Sequence, residues 1–291
     1  MAIVCHDAGA ANLIFAWLRN NPRPVRACMR GPAAGLWSRQ PAAGSILDLE
    51  KALDGAAILL SGTSWGDDIE HRARKRARSL GIRSIAVLDH WVNYPERFIR
   101  EGEEVLPDEL WVADDDAREE AGRCFPRLPI RQMPNLYLQG VVQEVATYHP
   151  GPVLEPPKHI LYVLEPVRQN WGRGDVAGEF QALEFFLGHL RDIGLAADAK
   201  IRLRPHPSDP AGKYDDWPRR YPQVDLTIDT GGPLAKLIAW ADWVVGCETF
   251  ALVIALHASR TAISTLPPWA PRCRLPQREL RHLRDLIPAP T

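Results

Sequence analysis

The chain has 291 residues and a formal net charge of −1, so its overall field favours neither nucleic acid nor an anionic membrane, and any anion site must be local. With 46% apolar and 24% charged residues it is a globular protein long enough for one large domain or two ordinary ones, not a disordered or fibrous chain. The 5 cysteines are scattered without zinc or redox spacing, which fits buried free thiols in a reducing compartment.

Apolar runs are short and interrupted by charge, so no membrane span is expected. The start Met1-Ala2-Ile3-Val4-Cys5-His6-Asp7 has no basic head or apolar signal core. A cytoplasmic location follows as the expectation, with peripheral contact at the inner membrane kept as an alternative.

In chain order, Ala2–Cys5 reads as a strand and Ala10–Arg19 as a helix. The joining segment His6-Asp7-Ala8-Gly9-Ala10 is small enough to turn closely but is not a GxGxxG fingerprint. Asp7 reads either as a base or as the N-cap of the helix. Val25–Cys28 and Ala57–Leu60 are the next predicted strands. After them, Ser61-Gly62-Thr63-Ser64-Trp65-Gly66-Asp67-Asp68 could form a sugar or phosphate pocket, or a plain loop with Asp67 capping a helix over Asp67–Leu80. That helix carries His71, Arg72, Arg74, Lys75, Arg76 and Arg78, the composition of a solvated face or of a lipid-headgroup contact. Ile82–Leu88 reads as a strand, and Asp89-His90-Trp91-Val92-Asn93-Tyr94 follows it. An acid, an imidazole and two aromatics suit sugar stacking and proton abstraction, or the packing of a loop. Leu110–Ala113, a helix over Asp115–Cys124 and Ile130–Met133 continue the alternation, which implies a parallel sheet.

The prolines of His149-Pro150-Gly151-Pro152 and Glu155-Pro156-Pro157 mark the predicted linker, dividing the chain into lobes 1–150 and 151–291. Beyond it, strands are predicted at Ile160–Leu164, Lys200–Leu203, Trp243–Gly246 and Thr261–Ser264. Helices are predicted at Val176–Leu190, Leu234–Ala241, Thr249–His257 and Gln277–Leu286. Ligands of such sheets bind at the carboxyl ends of the strands, and the default site is a cleft between two lobes.

Two strand-end segments carry the chemistry of the second half. In Arg204-Pro205-His206-Pro207-Ser208 the prolines fix a turn on which Arg204, His206 and Ser208 can converge on an anion, with Lys213 close behind. In Gly246-Cys247-Glu248-Thr249 the glycine lets a ligand approach the backbone and a helix start offers N–H groups to phosphate. Thr249 could equally be only a cap, whereas Glu248 suits sugar hydroxyls or a base edge. Glu165, at a strand end, is a carboxylate for nucleophile, acid or ribose-ligand roles. No HExxH or Asp-x-Asp points to a metal.

Over Ile160 to Trp269 these two segments resemble the donor half of GT-B glycosyltransferases, particularly the bacterial sialyltransferase and Kdo-transferase group. CDP-glycerol glycerophosphotransferases are similar at the same places. The resemblance carries Arg204, His206 and Pro207 to the His-Pro motif, and Glu248 and Thr249 to the helix-start motif. It departs where the family often has consecutive serines and this chain has Cys247-Glu248-Thr249. It implies an α/β, GT-B-like fold of two doubly wound Rossmann-like lobes facing a cleft that closes about the 149–157 stretch.

The expected activity is metal-independent glycosyl transfer from an activated donor, CMP-linked or phosphoribosyl diphosphate, to a glycan or lipid-linked glycan in surface polysaccharide synthesis. Donor residues are expected to be Arg204, His206, Ser208, Lys213, Gly246, Glu248 and Thr249, and acceptor residues His6, Ser64, Trp65, His90, Trp91 and Tyr94. Asp7, Asp89, Glu165 and His206 are the expected catalytic groups. Alternatives are a CDP-polyol phosphotransferase, a phosphoribosyl-diphosphate-dependent ribosyl transferase, a nucleotide-sugar epimerase, and a non-catalytic nucleotide-sugar-binding subunit. Neither a cofactor nor nucleic acid is expected.

Overall fold

The computed structural model describes residues 1–41, 43–166 and 171–287. The chain divides into two compact units, Met1–Gln139 and Gly140–Thr291. The first contains β1 (Ala2–Cys5), α1 (Ala8–Asn20), β2 (Arg26–Met29), α2 (Gly31–Trp37), α3 (Leu49–Leu53), β3 (Ile58–Ser61), α4 (Ile69–Ser79) and β4 (Arg83–Val87). It continues through a small hairpin, β5 (Ile99–Arg100) and β6 (Glu103–Glu104), to β7 (Glu109–Val112), α5 (Asp115–Cys124) and β8 (Ile130–Gln132). The division falls within α6 (Leu136–Thr147). The second unit holds β9 (His159–Val163), α7 (Gly178–Gly188), β10 (Lys200–Arg204), α8 (Trp217–Arg220), β11 (Asp225–Ile228) and α9 (Leu234–Trp240). It ends with β12 (Trp243–Gly246), α10 (Phe250–His257), β13 (Thr261–Ser264), β14 (Arg281–His282) and α11 (Leu283–Leu286).

Each unit is built on a 6-stranded parallel sheet, in the order β2-β1-β3-β4-β7-β8 in the first and β11-β10-β9-β12-β13-β14 in the second. The central strands β1 and β12 are buried along their whole length because helices cover both faces, whereas the edge strands β8, β11 and β14 carry exposed polar residues. In β1, Ile3 and Cys5 pack with Ile14, Phe15 and Met29 on one side. Ala2 and Val4 pack with Leu53, Leu59, Ile69 and Ala73 on the other. In the second sheet, Tyr162, Ile201, Leu203 and Val245 join Phe186 and Trp217. The chain reverses direction across the first sheet between β1 and β3, and across the second between β9 and β12. At such switch points the strand-end loops diverge and leave a crevice for ligands.

Beyond the predicted pattern the structure adds α2, α3, the β5–β6 hairpin, α8 and β11, and it differs at two further stretches. Gln277–Leu286 forms no continuous helix: Arg281 and His282 instead pair with Ile263 and Ser264 on the open edge of β13. Leu280 and Leu283 are both buried, a spacing that a turn followed by a short strand meets as well as a helix does. The helix α6 was not predicted, because Gly140 interrupts a run whose residues are mostly exposed or half-buried.

The Pro-rich stretch before β9 is tied to the second unit. The buried carboxylate of Asp242 accepts from the N–H groups of Leu154 at 3.0 Å and of Lys158 and His159 at 2.9 Å. Replacing Asp242 by Ala leaves these donors unpaired and is expected to destabilise the second unit by about 3 kcal/mol in urea unfolding. Asn, which keeps one acceptor, should cost less. Equal midpoints for wild type and Asp242→Ala would contradict this role.

Candidate functional site

At the carboxyl edge of the first sheet, β1 delivers His6 and Asp7, β3 delivers the loop to Ser64, and β4 delivers Asp89. Asp7 occupies the N-cap position of α1, yet its side chain makes no capping bond. Its carboxylate lies 2.6 Å from His6 Nδ1 instead. Ser64 Oγ is 3.3 Å from the same nitrogen, so the three do not form a relay, which would need the hydroxyl on Nε2. With Nδ1–H donated to Asp7, the His6 acceptor is Nε2. A side chain at Gly31, whose φ is +47°, would run into that ring.

Glu70 organises this edge, although nothing in its pattern on α4 marked it. It is 1% exposed and accepts from the N–H of His6 at 3.0 Å and from the N–H of Ser64. Burial raises its pKa to about 7, against the lowering effect of those two bonds. Arg74, one helical turn on, is also buried. It donates to the carbonyls of Gly62 at 3.1 Å and Val105 at 3.2 Å, and burial lowers its pKa to about 10. The solvated basic face expected of α4 is thus corrected at His71 and Arg74, which are buried. Lys75 and Arg76 follow the expectation in pointing outward, but they pair with Glu103 and Glu50. Asp67 does assist the helix start, accepting from Ile69 N at 2.7 Å.

The Asp89–Tyr94 cluster is largely structural in its contacts. Asp89 is ion-paired at 2.9 Å with the buried Arg97, which also donates to Thr63. Gly9 is needed beside it, because a Cβ there would overlap the carboxylate. Trp91 donates from Nε1 to Asp114 at 2.9 Å, and its ring lies edge-on to His90 with centroids 5.3 Å apart. Tyr94 is 1% exposed in a core with Phe98, Leu110 and Phe125, so its expected place in an acceptor pocket is corrected. Burial holds its phenol above the usual range. Trp65, by contrast, is 51% exposed beside Ser64.

At the carboxyl edge of the second sheet the expected anion ligands are already engaged. Arg204 clamps the loop after β11, donating to the carbonyls of Gly231 at 2.8 Å and Gly232 at 2.9 Å, with Asp229 at 3.5 Å. Lys213 pairs with Asp209 at 2.7 Å and with Glu179. Burial alone would lower the Lys213 ammonium, but these hydrogen bonds outweigh it and hold its pKa above the ordinary range. The His206 Nδ1 receives the Ser208 N–H at 3.2 Å and lies 2.7 Å from Ser208 Oγ, which puts the ring proton on Nε2. Arg204, His206, Lys213, Tyr214 and Thr230 border a pocket of about 280 Å³.

The helix-start segment is equally occupied. A Cβ on Gly246 would sit 2.8 Å from the Val163 carbonyl, so this glycine accommodates its neighbouring strand rather than opening a path for a ligand. Glu248 accepts from Arg274 Nε at 3.0 Å, Nη2 at 2.7 Å and backbone N at 2.7 Å. The carboxylate expected at sugar hydroxyls or a base edge is thus held by Arg274 within the unit. Thr249 caps α10, accepting from Ala251 N at 3.3 Å. Glu165, at the switch point, accepts from Glu248 N at 2.6 Å, and burial raises its pKa to about 8. Among the described residues, no three His, Cys, Asp or Glu side chains gather as metal ligands would. Likewise, no helix among them is long and apolar enough to cross a membrane.

The fold is α/β and GT-B-like, with a doubly wound Rossmann-like sheet in each unit. It is similar to that of UDP-GlcNAc 2-epimerase from Neisseria meningitidis bound to UDP-GlcNAc, with a TM-score of 0.59 at 9% identity over 90% of this chain and 81% of that one. A proposed UDP-N-acetylglucosamine 2-epimerase from Listeria monocytogenes superposes with a TM-score of 0.59 at 10% identity, over 90% of this chain and 78% of that one. No protein-family model and no curated protein sequence matches this chain.

Because the Glu70 pKa is raised from 4.5 to about 7, its contribution to stability is complete below pH 4.5 and is lost as pH rises to 7. Urea unfolding is expected to show the first unit losing about 2 to 3 kcal/mol between pH 5 and pH 8 from this group. Glu70→Gln should flatten that slope. An unchanged slope in the variant would rule the assignment out.

Proposed function

We propose that the chain is a metal-independent GT-B-type glycosyltransferase of surface polysaccharide synthesis, with the acceptor base in the first unit and the donor phosphate site in the second. The observation that carries this reading is the His6–Asp7 pair at a strand's carboxyl end, where the N-cap carboxylate serves the imidazole and not the helix. In this reading His6 Nε2 takes the proton from an acceptor hydroxyl, and Asp7 holds the tautomer and stabilises the imidazolium. The acceptor oxygen bonds to the anomeric carbon of the donor as the carbon–phosphate oxygen bond breaks, and the electron pair leaves on phosphate. His206 Nε2–H and the N–H groups at the start of α10 suit that developing charge. Asp89 is less suited to the base role, since Arg97 neutralises it. Trp65 offers an exposed face for a sugar ring. The donor is proposed to be CMP-linked or phosphoribosyl diphosphate, and the acceptor a glycan.

A thermal-shift panel of CMP, CDP, UDP, GDP and phosphoribosyl diphosphate tests the donor site. A true ligand at a hundredfold excess over its dissociation constant adds about 2.7 kcal/mol of stability, and a flat panel removes the proposal. His6→Ala and Asp7→Asn should each lower turnover by roughly 10²- to 10⁴-fold without shifting the melting temperature of the free protein by more than a few degrees. Full turnover in both would mean the base lies elsewhere.

A second reading, nucleotide-sugar epimerisation, is favoured by the UDP-GlcNAc bound in the Neisseria meningitidis structure of the same fold. The two readings separate on one assay. Epimerisation of UDP-GlcNAc proceeds without an acceptor, whereas transfer releases the nucleotide only when an acceptor hydroxyl is supplied.

A further inference from the structure

The second unit has a pocket of about 490 Å³ at the other edge of its sheet, among the amino ends of the strands. His159 begins β9, Asp242 immediately precedes β12, and Arg260 immediately precedes β13. Tyr148 and Leu154, large apolar side chains that the fold leaves exposed, stand in its walls. Trp240 stands there too, its ring 4.8 Å from that of His159 and 4.1 Å from the Arg202 guanidinium.

Besides its histidines, the charged groups of this pocket are two cations, Arg260 and Lys236, and one carboxylate, Asp242, whose charge also acts on Arg260. Its carboxylate, Asp242, is occupied by the N–H groups of Leu154, Lys158 and His159. Arg260 is 7% exposed, donates from Nη2 to the Gly151 carbonyl at 2.8 Å, and keeps a buried Nε with no hydrogen-bond partner. A buried guanidinium N–H left unpaired is unfavourable, so the position calls for an acceptor from outside the chain. Lys236, exposed at the rim, forms no ion pair among the described residues.

We propose that this pocket binds a small organic anion, a carboxylate or phosphomonoester group carried on a flat apolar body. The oxyanion would face Arg260 and Lys236, and the body would lie against Trp240, Leu154 and Pro152. A mostly apolar concavity with a few convergent charged groups is the usual build of a small-molecule site. This inference does not rest on the transferase reading, because none of these residues belongs to either carboxyl edge.

Calorimetric titration of the full chain with benzoate and with phenyl phosphate tests it. At least one of these anions is expected to saturate a single site with a dissociation constant on the order of 1 mM. Saturation by benzoate alone assigns a carboxylate ligand, and by phenyl phosphate alone a phosphomonoester. Benzylamine, the same body with the opposite charge, should not bind, and inorganic phosphate, charge without the body, should not compete. Lys236→Met, at an exposed position, is expected to weaken binding about tenfold, as is Trp240→Leu. His206→Ala, at the carboxyl edge, should leave the affinity unchanged. The proposal is overturned by saturation with benzylamine, by competition from inorganic phosphate, or by loss of binding in His206→Ala. Equal affinity in wild type, Lys236→Met and Trp240→Leu, or no saturable binding of either anion, overturns it as well.

Discussion

Parallel strands that end side by side present a row of backbone N–H groups that turn away from the ladder and into the protein, where each needs an acceptor. In the first unit that acceptor is Glu70, which takes the N–H of His6 after β1 and the N–H of Ser64 after β3. The carboxylate thereby spans the switch point and sets the backbone from which the His6 ring projects. Arg74, on the next turn of α4, holds the Gly62 carbonyl on the same loop, so one helix supplies both the acceptor and the donor. The second unit uses the device again in lighter form, with Glu165 after β9 accepting the N–H of Glu248 after β12. Burial raises the pKa of both carboxyl groups, because desolvation outweighs the hydrogen bonds that favour the charged form.

The same economy governs the cations at the second edge. Arg204, Lys213 and Arg274 each meet a carboxylate or a set of carbonyls within the unit. At this edge the positive charge is therefore held in local contacts and not as one exposed field. Under the proposed reading, a donor phosphate is held by directed N–H groups, those of α10 and of His206, more than by unpaired charge. Backbone dipoles of this kind are fixed before the ligand arrives and need no reorganisation. The amino edge of the same sheet contrasts with this, since Arg260 and Lys236 share a single carboxylate there, Asp242, and Arg260 keeps a buried Nε without a hydrogen-bond partner.

Much of the scaffold was legible along the chain. Ala2–Cys5 and Trp243–Gly246 are unbroken apolar runs because helices cover both faces of their sheets, and a run of that kind declares a central parallel strand. The strand ends were legible for the same reason, which is why His6, Asp7, Glu165, Arg204 and His206 could be singled out. The unpredicted β14 and α6 illustrate where periodicity fails. A short edge strand is decided by the open edge it meets, and a helix with Gly140 inside it gains its place from its neighbours.

What the sequence by itself determined, then, is the alternation of strands and helices and the identity of the side chains arriving at each carboxyl edge. Only the tertiary structure decided what those side chains do. Asp7 turns to His6 instead of capping α1, Thr249 does cap α10, Tyr94 enters the core, and Glu248 is taken by Arg274. Each choice depends on a partner distant in the chain or on a torsion that no residue pattern encodes. Glu70 is the clearest case, since a glutamate on a basic helix reads as solvent-facing until β1 and β3 bring two unsatisfied N–H groups over it.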